Sequence, residues 1–155
     1  MKSTEHWLVH DHTQIEDLLR HCCEEAEIYD WWALERYLTE FIGQLRYHVA
    51  QEEEVLYPAY DARRAPEHMF TDDLYEDHNR IIDTIRKIHR LVEAQQKEGL
   101  VELFKELVDI MFEHNQREEH VFLPFASHLL CEDRDELSEK LDNFALSKKS
   151  RVWGV

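Results

Sequence analysis

His48 and Glu52 stand four residues apart in FIGQLRYHVAQEEEVLYPAY (residues 41–60), and His114 and Glu118 repeat that spacing in LVDIMFEHNQREEHVFLPFA (residues 107–126). An imidazole and a carboxylate one helical turn apart lie on one face, one above the other. In both segments that face is otherwise apolar: Phe41, Leu45 and Val55 flank the first pair, and Leu107, Met111 and Val121 the second. A bundle helix buries such a stripe, and burying a histidine and a carboxylate there is unfavourable unless something binds them. Two further stripes carry one histidine each, Leu8, His12, Ile15, Leu19, Cys22 and Leu74, His78, Ile81, Ile85, Ile88, Val92. Brought together, His12, His48, Glu52, His78, His114 and Glu118 form a candidate metal site. Imidazole and carboxylate donors suit iron, manganese or zinc, and paired carboxylates on facing helices are how bundles hold two metals.

The elements that would position these groups follow from an internal repeat. His12 and His78, His48 and His114, Glu52 and Glu118, and Pro58 and Pro124 are each 66 residues apart. The flanks agree, LVHDHTQIEDLL against LYEDHNRIIDTI. The chain therefore reads as two similar αα-hairpins. Packed face to face, they predict an all-α, antiparallel up-down-up-down four-helix bundle with a pseudo-twofold axis. The first helix is expected from Ser3 or Thr4 to Ala26. The second starts after the N-cap Asp30 and runs to Tyr57, where Pro58 kinks or ends it. Thr71 caps a third helix ending near Gln96, with Asp72 and Asp73 favourable at its N-terminus. Gly99 marks the next turn, the fourth helix spans Leu100–Ser127, and a short fifth helix, Asp133–Leu146, crosses one end. Residues 1–147 form the bundle domain. Residues 148–155 form a basic tail, expected to be loose unless Trp153 docks it, and Trp31 and Trp32 are expected to pack the bundle's end.

Other polar residues fall outside the layer. His89 and His128 share faces with ligands but lie too far along the axis, at about 1.5 Å per residue. His6, His10, His21 and His120 fall off the seam, and His68 is in a loop. Glu16, one turn after His12, reads as a helix-flank charge or an extra ligand. Glu53 and Glu119, one residue past the seam, face solvent or stand behind the ligands as their partners. Leu8, Ile15, Leu45, Leu74, Ile81 and Met111 wall the site with apolar surface, which admits small uncharged ligands. No general acid is evident on the seam.

Composition narrows the function. Lys and Arg number 18 against 34 Asp and Glu, for a net charge of −16. Such a surface repels phosphate backbones and anionic lipid, so neither nucleic acid nor a membrane is an expected partner. No apolar run is long enough to span a bilayer and no signal peptide is visible. The three cysteines are odd in number and Cys22 and Cys23 are adjacent, which points to a reducing cytoplasm. Cys22 continues a buried stripe and reads as an inert thiol rather than a redox switch.

Asp-His followed by HxxxEE and a closing Tyr-Pro or Leu-Pro, twice over, resembles the hemerythrin-like (HHE cation-binding) domain family across about residues 4 to 130. The resemblance implies a di-iron centre, two oxo- or hydroxo-bridged iron ions held by His12, His48, Glu52, His78, His114 and Glu118. Dioxygen, nitric oxide or peroxide would be its small ligand, and the role would be binding or sensing. Turnover of peroxide or nitric oxide, or iron donation for repair, is the enzymatic alternative, and a structural zinc bundle the third. The chain departs from the animal oxygen carriers in two places. Their third helix has two histidines one turn apart, where this chain has Leu74 before His78 and Ile82 after it. Their last carboxylate lies five residues past its histidine, whereas the repeat here favours Glu118, at four. Spacing five would need a bulged helix.

Overall fold

The structure, a computed structural model, describes residues 4–151 and 153. Helix α1, Thr4–Glu27, buries Leu8, His12, Ile15, Leu19, Cys22 and Ala26, one residue every three or four positions. A short turn with Tyr29 at φ +54° reverses the chain. Asp30 then accepts a 3.1 Å hydrogen bond from the Ala33 N–H and caps α2, Trp31–Gln51.

Helix α2 does not end at Pro58. Residues Glu52–Leu56 form one π-helical turn, in which the Tyr57 N–H reaches back five residues to the Glu52 carbonyl, and the chain continues as α3, Tyr57–Arg63. Proline has no N–H to give, and in a regular helix its ring collides with the carbonyl four residues back. A wider turn just before it relieves both demands. The twin segment does the same: α5, Leu100–Arg117, widens over Glu118–Phe122 and continues as α6, Leu123–Leu129. The extra residue moves the buried stripe. Leu56 and Phe122 are buried, while Val55 is half-buried and Val121 exposed, contrary to the regular spacing.

The second hairpin opens with α4, Asp72–Glu93. Thr71 precedes it, but its hydroxyl donates to Asp61 Oδ2 at 2.9 Å instead of capping the helix. Gly99, at φ +83°, makes the turn into α5 that a side chain would strain. Helix α1 neighbours α2 and α5, and α4 neighbours the same two, so the four long helices close a ring. The short turns 28–30 and 94–99 make sequential helices antiparallel, and the result is the all-α bundle the repeat predicts.

The interior is apolar in two parts. A shaft cluster includes Ile15, Leu38, Phe41, Ile85 and Phe104, and a cap cluster includes Leu56, Tyr57, Tyr60, Leu74, Phe122 and Leu137. Full burial of each large side chain contributes about 1.5–3 kcal/mol. The fifth helix is shorter than expected: α7, Arg134–Asp142, crosses α1 and the widened turn of α2. There Gln51 Nε2 donates to the Leu141 carbonyl at 3.0 Å and the Tyr47 hydroxyl to that of Phe144 at 2.6 Å. Trp153 is only 3 % exposed, so residues 148–151 and 153 of the tail dock; its other three residues lie outside the described ones. Trp31 packs on the shaft cluster, but Trp32 is exposed and carries Arg36 over its ring instead of packing the bundle's end. Among the described residues no helix is long and apolar enough to cross a membrane.

Candidate metal centre

The bundle brings all six seam residues into one buried layer between the two apolar clusters. His12, His48, Glu52, His78, His114 and Glu118 are each at most 5 % exposed. Their contacts form a pattern: every imidazole turns Nε2 toward a glutamate oxygen. Glu52 Oε1 lies 3.3 Å from His48 and 3.4 Å from His78. Glu118 lies 3.1 Å from His12 and 3.0 Å from His114. The ligand atoms fall into two overlapping groups, each within 4.8 Å across: His12, His48, Glu52, Glu118 and His78, His114, Glu52, Glu118. Each hairpin thus supplies one histidine pair, and both groups share both glutamates.

In three of the four histidines the other imidazole nitrogen is tied back to a carboxylate. His48 Nδ1 lies 2.9 Å from Asp11, His114 Nδ1 3.0 Å from Asp77, and His78 Nδ1 2.7 Å from Glu53. His12 Nδ1 lies a looser 3.8 Å from Glu119. An Nδ1–H bonded to a carboxylate fixes the tautomer and leaves the Nε2 lone pair facing the core, the arrangement metal-bound histidines use. Glu53 and Glu119 therefore stand behind ligands. The aspartates of the repeated Asp-His pairs do so as well, each serving the histidine of the next helix. That role was latent in the repeat, since Asp11 and Asp77 are also 66 apart, but only the packing of neighbouring helices reveals it.

Tyr57 is the residue that helical spacing missed. Its hydroxyl donates to Glu52 Oε2 at 3.1 Å and, more closely, to Glu118 Oε1, and lies 3.5 Å from His78 Nε2. A regular helix would carry position 57 off the seam; the widened turn rotates it in. The seam itself offers no general acid, as expected, but Tyr57 adds a hydrogen-bond donor that the stripes do not predict. Burial, reinforced by the charges of Glu118 and Glu52, pushes the Tyr57 phenol well above its usual range, so it remains an O–H donor. Glu16 is exposed and accepts from Asn115 Nδ2 at 2.9 Å, outside both groups.

The electrostatics are those of a crowded buried layer. Burial and the neighbouring Glu118 charge push Glu52 well above the ordinary carboxylate range. Against the opposing effect of its own burial, Glu118 is held well below that range, chiefly by His114. Burial alone would lower His114, but Glu118 and the Asp77 hydrogen bond outweigh it and push it up to about 9. His48 and His78 are lowered by burial.

These residues fit a cation. His48 Nε2, Glu52 Oε1, Glu118 Oε2 and both nitrogens of His12 are buried without a hydrogen-bond partner. With Nδ1–H held by Asp11, the His48 Nε2 lone pair faces the Glu52 oxygen, an unfavourable meeting of acceptors that a cation between them resolves. Around the layer Leu8, Ile15, Leu45, Leu74, Ile81 and Met111 are all buried, as the stripes predict. A cavity of about 480 Å³ between α1 and α5 reaches His12, and its wall mixes Met111 and Phe112 with Thr13, Asn115 and Glu119. The approach is more polar than the stripes alone imply.

The hemerythrin HHE cation-binding domain is the family whose model matches, over residues 3–126. No curated protein and no solved structure matches the chain.

Proposed function

The chain belongs to the hemerythrin HHE cation-binding domain family, and on that premise we propose that it is a non-haem di-iron protein that binds dioxygen or a related small ligand such as nitric oxide or peroxide. The observation that carries this reading is the sharing of Glu52 and Glu118 by two four-residue groups. His12 with His48 would hold one ion and His78 with His114 a second, Glu52 and Glu118 being within reach of both, so that every member of the layer would be used. Nitrogen and oxygen donors without a thiolate suit iron, and four protein donors leave an octahedral ion with exchangeable positions. Iron, when bound, supplies redox chemistry and those open positions.

The protein's own groups do the rest. Asp11, Asp77 and Glu53 orient His48, His114 and His78. The buried leucines and isoleucines exclude bulk water. The cavity at His12 gives a small molecule a way in. Tyr57 offers an O–H inside the layer. That hydroxyl also favours the second reading, turnover of peroxide or nitric oxide or iron donation for repair, because a donor within hydrogen-bond reach assists bond cleavage. Its raised proton affinity makes it a steady hydrogen-bond donor and a weak acid near neutrality, which supports binding as the main activity. The free thiols Cys22, Cys23 and Cys131 suit a reducing cytoplasm.

The test is metal analysis and anaerobic spectroscopy of the iron-loaded chain before and after adding dioxygen, nitric oxide or peroxide. Two irons per chain, with a near-ultraviolet and visible spectrum that persists after oxygen, are expected. One ion or none sinks the dinuclear reading, a colourless zinc-loaded protein favours the structural alternative, and rapid multiple-turnover peroxide consumption overturns binding in favour of the enzyme.

A further inference from the structure

The last described residues fold back onto the metal layer. Arg151 sets Nε 2.9 Å from Glu53 Oε1 and Nη2 2.9 Å from Glu53 Oε2, a two-pronged grip, and Nη1 donates to Asn79 Oδ1. Glu53 is the carboxylate that accepts from His78 Nδ1 at 2.7 Å. On either side the segment is pinned. The Ser147 and Ser150 hydroxyls donate to Glu54 at 3.1 and 2.6 Å, Arg86 Nε donates to the Trp153 carbonyl at 2.5 Å, and the Trp153 ring is buried in the shaft cluster. A fork-shaped guanidinium on a carboxylate fixes its orientation as well as its charge. A carboxylate behind a metal-binding imidazole in turn sets its tautomer, direction and donor strength.

The symmetry-related position has a different arrangement. Glu119 approaches His12 only to 3.8 Å and is more exposed than Glu53. The second hairpin is gripped twice: Arg151 holds Glu53 behind His78, and Arg117 donates to Asp77 behind His114. In the first, the side chain at the position matching Arg117 is Gln51, turned to the Leu141 carbonyl.

We propose that residues 147–151, together with Trp153, form a strap whose Arg151 acts as a positioning residue, holding Glu53 against His78, so that docking of the strap and ion binding by the His78–His114 group strengthen one another. This rests on the reading of the layer as a two-ion centre. The His78–His114 group is the preorganised one and fills first. The His12–His48 group fills second and, lying beside the cavity, keeps the exchangeable positions. Because linkage is reciprocal, an ion in the first group tightens the strap as much as the strap tightens the ion.

Calorimetric and optical addition of Co²⁺ to the metal-free full chain tests this. The wild type is expected to bind two ions in two resolved steps. Arg151→Ala weakens the tighter step by about tenfold or more, the scale seen for such supporting partners, and leaves the weaker step in place. Glu53→Gln does the same, and Arg151→Ala with Glu53→Gln is no worse than Glu53→Gln alone. Arg151→Lys, which keeps the charge but loses the fork, restores only part of the difference. A general structural role would instead lower both steps together, and Leu38→Ala, in the shaft cluster and outside the strap, is the control that shows what loss of packing alone does. In the wild type, cleavage by trypsin at Lys148, Lys149 and Arg151 slows when Co²⁺ is added. If the wild type binds no Co²⁺, the metal reading fails and the strap proposal falls with it. If it binds two ions and Arg151→Ala changes neither step, or if Co²⁺ leaves tryptic cleavage of the strap unaltered, the strap proposal alone is overturned.

Discussion

The two hairpins are near copies in the residues that face the centre and differ in what stands behind them. His12 and His78, His48 and His114, and Glu52 and Glu118 superpose by a shift of 66 positions. Tyr57 breaks the match, because its counterpart is the apolar Leu123. Arg117 breaks it again, because its counterpart is Gln51. The inner set carries the donors that a cation would need, whereas the supports behind it differ between the hairpins. A symmetric set of ligands therefore does not make a symmetric site.

The largest test of the comparison separates shared from unshared residues. Glu52 and Glu118 belong to both groups, so Glu52→Ala or Glu118→Ala is expected to lose both ions. His48→Ala or His114→Ala is expected to lose chiefly the ion of its own hairpin. Metal content per chain reads the difference, and equal losses from all four variants would mean a single site. Chelation of the wild type lowers the melting temperature markedly, since bound metal stabilises only the folded form.

The second test sets twin histidines against each other in the metal-free protein. His114 is raised from 6.5 to about 9, so its stabilising contribution is complete below pH 6.5 and is lost as pH rises through 9. His48 is lowered by burial, so its contribution holds above pH 6.5 and is lost as pH falls toward its depressed value. Glu52, raised by burial and by Glu118, contributes stability that is lost as pH rises from the ordinary carboxylate range through its raised value. Melting temperatures followed across pH should fall on both sides, with His114→Gln flattening the alkaline limb and His48→Gln the acid one. The same effect from both variants would show the hairpins to be electrostatically alike.

Tyr57→Phe comes next. It leaves two buried carboxylate oxygens without their shared donor, a loss of about 1–3 kcal/mol in the chelated protein. Urea denaturation of chelated and metal-loaded samples should show the larger effect in the chelated one. No difference from wild type in either would remove Tyr57 from the site.

Smallest are the carboxylates behind the ligands. Glu53→Ala should weaken metal binding by about tenfold, Glu119→Ala by less because it holds His12 loosely, and Glu16→Ala not measurably because Asn115 already engages it. If Glu119→Ala exceeds Glu53→Ala, the order of support between the hairpins is reversed.

The sequence made the inner layer readable because burial and period coincide there. A polar residue on an apolar stripe is conspicuous, and a matching one 66 residues later is more so. What escaped was structure that obeys no period. One wide turn in each hairpin shifts everything after Glu52 and after Glu118 by a residue, so Leu56 and Phe122 take the inward places that the regular period gives to Val55 and Val121, and Tyr57 enters where that period gives it no place. A proline marks the position, but helix termination and a π turn both answer its missing N–H; only the packing of α3 and α6 on the cap chooses between them. Thr71 departs from the expected cap because Asp61, near the end of α3, accepts from its hydroxyl. The strap depends on contacts nearly 100 positions apart, Arg151 to Glu53, for which local pattern carries no signal.

The polar layer has a consequence for how the chain comes apart. It divides the apolar interior into shaft and cap, and apolar contact is what makes unfolding cooperative. Stripped of its cations, the layer becomes a seam between two foldons with separate opening free energies. Backbone amides of α3, α6 and α7 would then exchange with deuterium as one group, ahead of those in the middle of α1, α2, α4 and α5. Ions bound at Glu52 and Glu118 would rivet the two units, and the exchange of the cap would slow to that of the shaft.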